Sequence, residues 1–471
     1  MRRWPEGRVA GVERDRDLPG VSDQPPESFE ILGFETRDDR GLAIFHYRFR
    51  PGAEFSETLD FGRPFPPPAS AAGRALRAVF DALSVLIGVS YYKAFVPPRI
   101  DIRIPGLTEA QLAFFRDIYV EGLGEFAYRN NIDIESRVNF TAPAVSAEPA
   151  GLAPVNLARR SAVLIGGGKD SLVSIEMLRA ADEPMVLFAV NPKTPILRCA
   201  EASGLPLISV ARALDPKLFE LNKAGAFNGH VPITTIISFI AAAAGFIHDF
   251  DTVILSNERS ANEETIARDG KAINHQFSKT SGVESSIQHY IRTYIAPELS
   301  YFSLLRPLSE AHIGQLFARS TRYDSVFTSC NQAFRLGDDT GRKRWCGDCP
   351  KCRFTYLILA VAMPRSRLSE IFGIALLDDP AQLPGYRELT GLSGQKPWEC
   401  VGEIAESGAA ILRLARNDAW KDTLVIRSLA LALAARMPND EAVWAQLLTP
   451  SPEHYLPPRF AKMVDEYVGT R

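Results

Sequence analysis

The hydrophobic pattern changes period along the chain. Over 29–49, FEILGFETRDDRGLAIFHYRF, apolar and polar residues alternate on both sides of an Asp-Asp-Arg-Gly turn, which predicts two strands; FSETLDF at 55–61 predicts a third. After the break PFPPP (64–68), Leu76, Val79, Phe80, Leu83 and Ile87 fall at i, i+3, i+4 spacing, which predicts a helix over 71–87. A second helix opens at GLTEAQLAFF, where Thr108 and Gln111 have capping-box spacing. The Pro/Ala/Ser-rich stretch at 141–154 predicts a linker.

From Ser161 the rhythm becomes strand, helix, strand. AVLI is followed by a glycine run and the helical pattern SLVSIEMLRA; MVLFAVN (185–191) and LPLISVA (205–211) are further strands. The apolar run at 233–247 predicts a buried helix, and DTVIL opens a strand whose polar continuation, SNERSANEE, lies at its carboxyl end. Short, nearly continuous apolar strands separated by helices predict a parallel sheet covered on both faces, with functional residues at the strands' C-terminal ends. The expected fold is therefore α/β. An N-terminal α+β domain over 1–150 is a candidate for substrate recognition; the parallel-sheet domain covers 155–360, and 361–471 is mainly helical.

Composition narrows the function classes. The chain has 471 residues, 46% of them hydrophobic, and a formal net charge of −3. That balance carries no basic footprint for nucleic acid. The run at 233–247 is too short to span a membrane, and the charged start MRRWPEGRVAGVERDRD has no apolar signal region, so a cytoplasmic protein is expected. Of six cysteines, four cluster and Cys199 and Cys400 stand apart, which is not a disulfide framework.

The chemistry begins at Gly166-Gly167-Gly168-Lys169-Asp170-Ser171. Glycines after a strand let backbone amides approach an anion, and the following helix points its N-terminus at the same place. Walker A spacing fails, and so does the dinucleotide G-x-G-x-x-G. The segment resembles the PP-loop, S-G-G-x-D-S, of the adenine-nucleotide alpha-hydrolase superfamily, with Gly166 in place of the first serine. That resemblance implies ATP held by its pyrophosphate end and attack at the alpha phosphorus. Carboxylates near such a loop would hold Mg²⁺; Asp170, Glu258, Glu263 and Glu264 are candidates, with Arg259 as a phosphate clamp. A glycine-rich turn without a ligand and a solvated polar loop are the plain alternatives.

Cys330, Cys346, Cys349 and Cys352 are spaced C-x15-C-x2-C-x2-C, with Gly347 and Pro350 at the tight turns. Four thiolates at these spacings can close a tetrahedron around structural Zn²⁺; an iron–sulfur cluster is the competitor. GRKR (341–344), inside the insertion, reads as a solvated loop.

The loop, LLRPLSEAHIGQLFA (304–318), the Ser-Cys at Cys330 and CGDCPKC resemble the cyano-deazaguanine synthase family, QueC, whose chains are shorter. With the large N-terminal module, NGHVPITT (228–235) and SNERSAN in order, the whole chain is more similar to the MurL family of ATP-dependent glycopeptidyl-glutamate epimerases. That resemblance implies a nucleotide-sugar substrate, UDP-N-acetylmuramoyl-L-alanyl-L-glutamate. It further implies that the terminal glutamate is inverted to D with ATP and Mg²⁺ as cofactors, ATP being consumed and AMP and pyrophosphate released, and with no pyridoxal phosphate. Adenylation removes the charge of the carboxylate next to the α-carbon, so a base can take the proton and an acid return one. His230, His275 and Lys279 are the acid/base candidates, with Cys199 as a thiol alternative. Tyr91, Tyr92 and Lys93 in SYYKAF are read either as a contact for a uridine diphosphate group or, equally, as a half-buried surface. A QueC-like or RNA-modifying adenylating enzyme, or a regulatory nucleotide-binding protein, are the other readings.

Overall fold

The computed structural model describes residues 24–143, 151–268, 271–334 and 343–470. The charged N-terminal start, the centre of the expected linker (144–150) and Gly341 and Arg342 of GRKR lie outside the described residues. The described chain groups into two units. The first runs to Val155 and includes Val210–Ile247 and Tyr294–Ala296; the second takes Asn156–Ser209, His248–Thr293 and Pro297 onward.

The first unit opens with an antiparallel meander, β1 (Ser28–Arg37), β2 (Leu42–Arg50) and β3 (Glu54–Asp60). Alternation gives it a dry face: Phe29, Ile31, Phe45, Tyr47, Phe49, Phe55 and Leu59 are all buried. A single 3-10 turn, Asp38–Arg40, joins β1 to β2 and ends on Gly41 at φ 69°. Helix α1 (Ala71–Tyr92) covers this face and runs past the expected end at 87, because Val89, Tyr91 and Tyr92 continue the buried stripe. Tyr47 donates to the Ser84 carbonyl at 2.9 Å and Tyr119 to that of Val85 at 2.7 Å, so the core tyrosines keep their hydroxyls paired. Strand β4 (Arg99–Ile102) runs parallel to β1; α2 (Glu109–Gly122), α3 (Gly124–Asn130) and β5 (Phe140–Thr141) follow. Both bonds of the Thr108/Gln111 capping box are present.

In the second unit β6 (Ser161–Leu164), α4 (Lys169–Ala180), β7 (Met185–Val190) and α5 (Thr194–Ser203) keep the expected rhythm. Strand β8 (Leu207–Ala213) ends in the first unit, where Thr58 faces Ala213 across an antiparallel pair with β3. Helices α6 (Pro216–Lys223) and α7 (Ile233–His248) also group there up to Ile247, although the sequence pattern placed 155–360 in one domain. The long helix is buried as expected, from Ile236 to Ile247 with few breaks.

The chain returns with β9 (Thr252–Leu255), the short pair β10 (Ile266–Arg268) and β11 (Lys271–Ile273), α8 (Ser281–Tyr294) and β12 (Ser300–Ser303). Parallel pairing gives the order β12-β9-β6-β7. Helices α9 (Glu310–Ala318), α10 (Pro350–Ala360), α11 (Arg365–Phe372), α12 (Leu383–Leu389), α13 (Ile404–Leu414), α14 (Leu424–Arg436), α15 (Asp440–Leu447) and α16 (Pro458–Gly469) complete it. The helical C-terminal third shares its core with β6, α4 and β12. Among the described residues, no helix is long and apolar enough to cross a membrane.

Candidate functional site

The strand order reverses at β6. From it the chain adds β7 on one side, then returns to add β9 and β12 on the other, and this is where a parallel sheet opens a crevice at its carboxyl edge. The turns after β6, β9 and β12 therefore converge, and each contributes a carboxylate.

After β6 the backbone turns through Gly167 at φ 77°, a left-handed conformation that favours glycine. Its carbonyl accepts from the Thr328 amide at 3.0 Å and from Cys199 Sγ at 3.6 Å, which pins the loop from below. Gly168 is the N-cap of α4 and offers no side chain, so the first-turn amides keep no side-chain cap. A Cβ on Gly168 would stand 3.0 Å from Ser329 Oγ, whereas one on Gly166 would meet nothing within 4 Å. The missing serine of the superfamily motif is thus not a demand of packing. Ser171 Oγ donates to the Gly168 carbonyl at 3.2 Å.

Asp170, Glu258 and Glu310 bring one carboxylate oxygen each within 4.8 Å of one another. Glu258 and Glu310 are buried. Burial, then the neighbouring Asp170 charge, raises both carboxyl pKa values above their ordinary range. Lys169 lies between Asp170 and Glu310 and pairs with both. Burial pulls its ammonium down, but the two carboxylates outweigh that and hold it protonated. Two buried carboxyl groups and a half-buried one form an all-oxygen set that suits a hard divalent cation such as Mg²⁺. Glu310 escaped the sequence reading. Its signal was the Ser309 N-cap, which accepts from the His312 amide at 3.0 Å and sets Glu310 in the first turn of α9.

Buried Arg306 holds two of these segments. Its guanidinium donates to Glu284 Oε2 at 2.8 and 3.0 Å, to the Glu258 carbonyl at 2.7 Å and to the Lys279 carbonyl at 2.6 Å. The polar segments around 260 and 275 are also joined directly, since Asn274 Nδ2 donates to the Ala261 carbonyl at 2.9 Å.

Other sequence candidates lie elsewhere. Arg259 points at the C-terminal end of α15, donating to the Gln446, Leu447 and Thr449 carbonyls at 3.1–3.3 Å. Glu263 pairs with Lys396 and Glu264 is exposed. His230 belongs to the first unit, with Nδ1 3.8 Å from Glu125. Cys199 is fully buried, and burial pushes its thiol to about 12. Tyr91 and Tyr92 are core residues; Lys93 is buried, donates to Asn228 Oδ1 at 2.6 Å, and is held at about 8 by desolvation. Arg344 is half-buried, with Nη2 2.6 Å from the Ile371 carbonyl, rather than solvated.

A cleft opens at the carboxylates, lined by Lys169, Asp170, Glu258, Lys279, Lys351 and Cys400 among others. His275 and Lys279 each hydrogen-bond Cys400. The cleft thus combines an acidic floor with cationic and thiol walls.

Lys351 comes from the cysteine cluster. Cys330, Cys346, Cys349 and Cys352 hold their Sγ atoms within 4.8 Å of one another, with separations of 3.5 Å (349–352), 3.8 Å (346–352) and 4.0 Å (330–349). A Zn–S bond of about 2.3 Å makes tetrahedral edges of about 3.8 Å. Gly347 takes φ 77°, and the Cys346, Asp348 and Cys352 amides donate to sulfur at 3.4 Å, as thiolate ligands require. The four residues fit a closed zinc site.

Residues 22–304 match the MurL N-terminal domain and residues 326–443 the MurL C-terminal domain. A Micromonospora protein named UDP-N-acetyl-alpha-D-muramoyl-L-alanyl-L-glutamate epimerase is 44% identical over 94% of this chain and 99% of its own. Proteins of the same name from Salinispora tropica and Xanthomonas oryzae pv. oryzae are 42% and 41% identical, over 94% and 89% of this chain and 97% and 92% of theirs. Matched by both domain models and along most of its length by these relatives, the chain belongs to the MurL family.

Proposed function

We propose that the chain is an ATP-dependent epimerase that inverts the terminal L-glutamate of UDP-N-acetylmuramoyl-L-Ala-L-Glu to D-glutamate, in peptidoglycan precursor synthesis. The names of its relatives support the substrate. The observation that carries the mechanism is the convergence of a side-chain-free loop, Gly166–Gly168, with Asp170, Glu258 and Glu310 at the sheet's switch point. On this reading the second unit is a PP-loop ATP-pyrophosphatase core of the HUP-like class.

The glutamate α-proton is hard to remove beside an anionic carboxylate. Forming an acyl-adenylate takes that charge away: the carboxylate attacks the alpha phosphorus of ATP, pyrophosphate leaves, and the activated acyl group can accept the electron pair of the broken C–H bond. The uncapped amides of α4 bind the phosphates, while Lys279 and Lys351 add positive charge along the cleft. Mg²⁺ held by Asp170, Glu258 and Glu310 would neutralise pyrophosphate as it departs. Lys279 in the cleft and His275, next in sequence to the cleft-lining Gln276, are the proton-handling candidates, with His230 in the first unit a further one. After reprotonation on the opposite face, water releases AMP and the D-glutamyl product. The zinc site is structural.

The test is incubation with ATP, Mg²⁺ and the muramoyl dipeptide in heavy water, followed by hydrolysis and separation of glutamate enantiomers. D-glutamate carrying deuterium at the α-carbon, with AMP and pyrophosphate, is expected. Retained L-glutamate from protein that cleaves ATP with another carboxylate or nucleobase would replace this reading with the QueC-like one.

A further inference from the structure

The cleft holds a group the mechanism above has not used. Cys400 lies between α12 and α13, far in sequence from the phosphate loop, yet its thiol lines the same cleft as Lys169, Lys279 and Lys351. Lys279 and His275 hydrogen-bond it, and the Lys351 charge acts on it as well. No other free cysteine is placed this way: Cys199 is in the core, and the remaining four face one another.

A second observation points to a ligand here. Gln276 also lines the cleft and is 4% exposed, but its Oε1 has no hydrogen-bond partner among the described residues. Its Nε2 donates to the Val401 carbonyl at 3.4 Å, fixing the amide beside Cys400. An unpaired buried acceptor is costly, and a donor on a bound substrate would satisfy it.

We propose that Cys400 Sγ is one of the two groups that transfer the proton at the glutamate α-carbon, an assignment that rests on the epimerase reading. As base, the sulfur takes the α-proton: the C–H bond breaks, an S–H bond forms, and the electron pair moves into the acyl-adenylate carbonyl as an enolate. A proton donated on the opposite face makes the new C–H bond, and the carbonyl re-forms. As acid for that face, the sulfur runs the same step in reverse.

Charge supports the choice. Burial raises a thiol, but Lys279 and Lys351 outweigh it and keep Cys400 ionised, well below the ordinary thiol range. Lys279 is itself held protonated: burial lowers its pKa, and Cys400 and Glu258 more than reverse that. A lysine locked as ammonium is a poor base, so Lys279 becomes the residue that holds the thiolate in place.

The test uses the full-length, zinc-loaded protein with Cys400→Ser and Cys400→Ala variants. Inversion should fall by roughly a hundredfold or more, while pyrophosphate release that depends on the L-dipeptide continues. Inversion within about threefold of wild type, or loss of pyrophosphate release in parallel with inversion, would overturn the assignment. Wild-type protein that fails to invert defeats the epimerase reading itself, a separate outcome. Should the variants not fold, iodoacetamide on the wild type decides, with modified peptides mapped by mass spectrometry. Cys400 should be alkylated before the other five cysteines, be protected by ATP plus dipeptide, and cost inversion in proportion. Alkylated Cys400 with inversion intact refutes the proposal, as does a Cys400 no more reactive than Cys199.

Discussion

Arg306 shows how much of a site rests on one side chain that touches no reacting group. It is fully buried, its charge is met by Glu284, and its remaining donors grip the backbone at Glu258 and Lys279. Removing one partner of a buried ion pair costs about 3–5 kcal/mol, because the other charge stays uncompensated. Arg306→Met should therefore lower the urea midpoint clearly and abolish activity, and Arg306→Lys should not restore it, since one ammonium cannot replace a planar fork of donors. A buried Lys variant with wild-type turnover would refute the positioning role. Glu30 is the counterpart in the first unit. Burial raises its carboxyl, but bonds from Arg103, Arg48 and Arg50 at 2.6–2.9 Å outweigh that and hold it at about 2. The folded pKa lies below the unfolded 4.5, so between those values the unfolded state binds more protons. The stability is present above pH 4.5 and is lost as pH falls towards 2. Since water screens the arginines, about 1–2 kcal/mol is expected. Glu30→Gln should cost that much at pH 7 and nearly nothing near pH 2, read from denaturant unfolding at both.

At the scale of elements, local chemistry was legible and long-range partnership was not. The meander, the Thr108 capping box and the strand-loop-helix at 161–180 follow from period and caps, which act over a few residues. Asp170 and Glu258 could be named because each follows a buried strand; Glu310, Lys351 and Cys400 could not, because only tertiary packing brings them to the same cleft. Arg259 illustrates the opposite error of reach. A cation beside an acidic segment reads as a phosphate clamp, yet the carbonyls ending α15 carry partial negative charge and claim it. Nothing near Arg259 in sequence announces that helix end. One element-level prediction concerns Gly41, in the turn from β1 to β2. A Cβ there would lie 2.1 Å from the Arg63 carbonyl oxygen, in a left-handed conformation. Strain and overpacking together should cost about 2–4 kcal/mol. Gly41→Ala should lower the thermal midpoint, whereas Gly166→Ala, open on all sides, should leave folding unchanged.

At the scale of the molecule, the cysteine cluster is more than a clasp for the C-terminal third. Cys330 adjoins Thr328 and Ser329: the Cys330 amide donates to Thr328 Oγ1 at 3.0 Å, while the Thr328 amide donates to the Gly167 carbonyl. Cys349 caps α10, and between Cys349 and Cys352 the chain presents Lys351 to the cleft. Two short paths thus run from the four sulfurs, one through the Thr328–Gly167 hydrogen bond to the glycine loop and one along the chain to Lys351 in the cleft. On the proposed zinc reading, releasing the metal would leave four thiols a few ångströms apart and loosen the turns at Gly347 and Pro350. Stripping zinc with a strong chelator should then have two effects that move together. The unfolding temperature should drop by at least about 5 °C, since a domain of this size shifts roughly 2–4 °C per kcal/mol. On the proposed mechanism pyrophosphate release should fall with it, although no cysteine of the cluster lines the cleft. Zinc should restore both and added Mg²⁺ neither, with about one zinc per chain found by elemental analysis. Visible absorbance of an iron–sulfur cluster in protein purified without oxygen would replace zinc with that cofactor. Activity unchanged after complete zinc removal would break the link between the cluster and the loop.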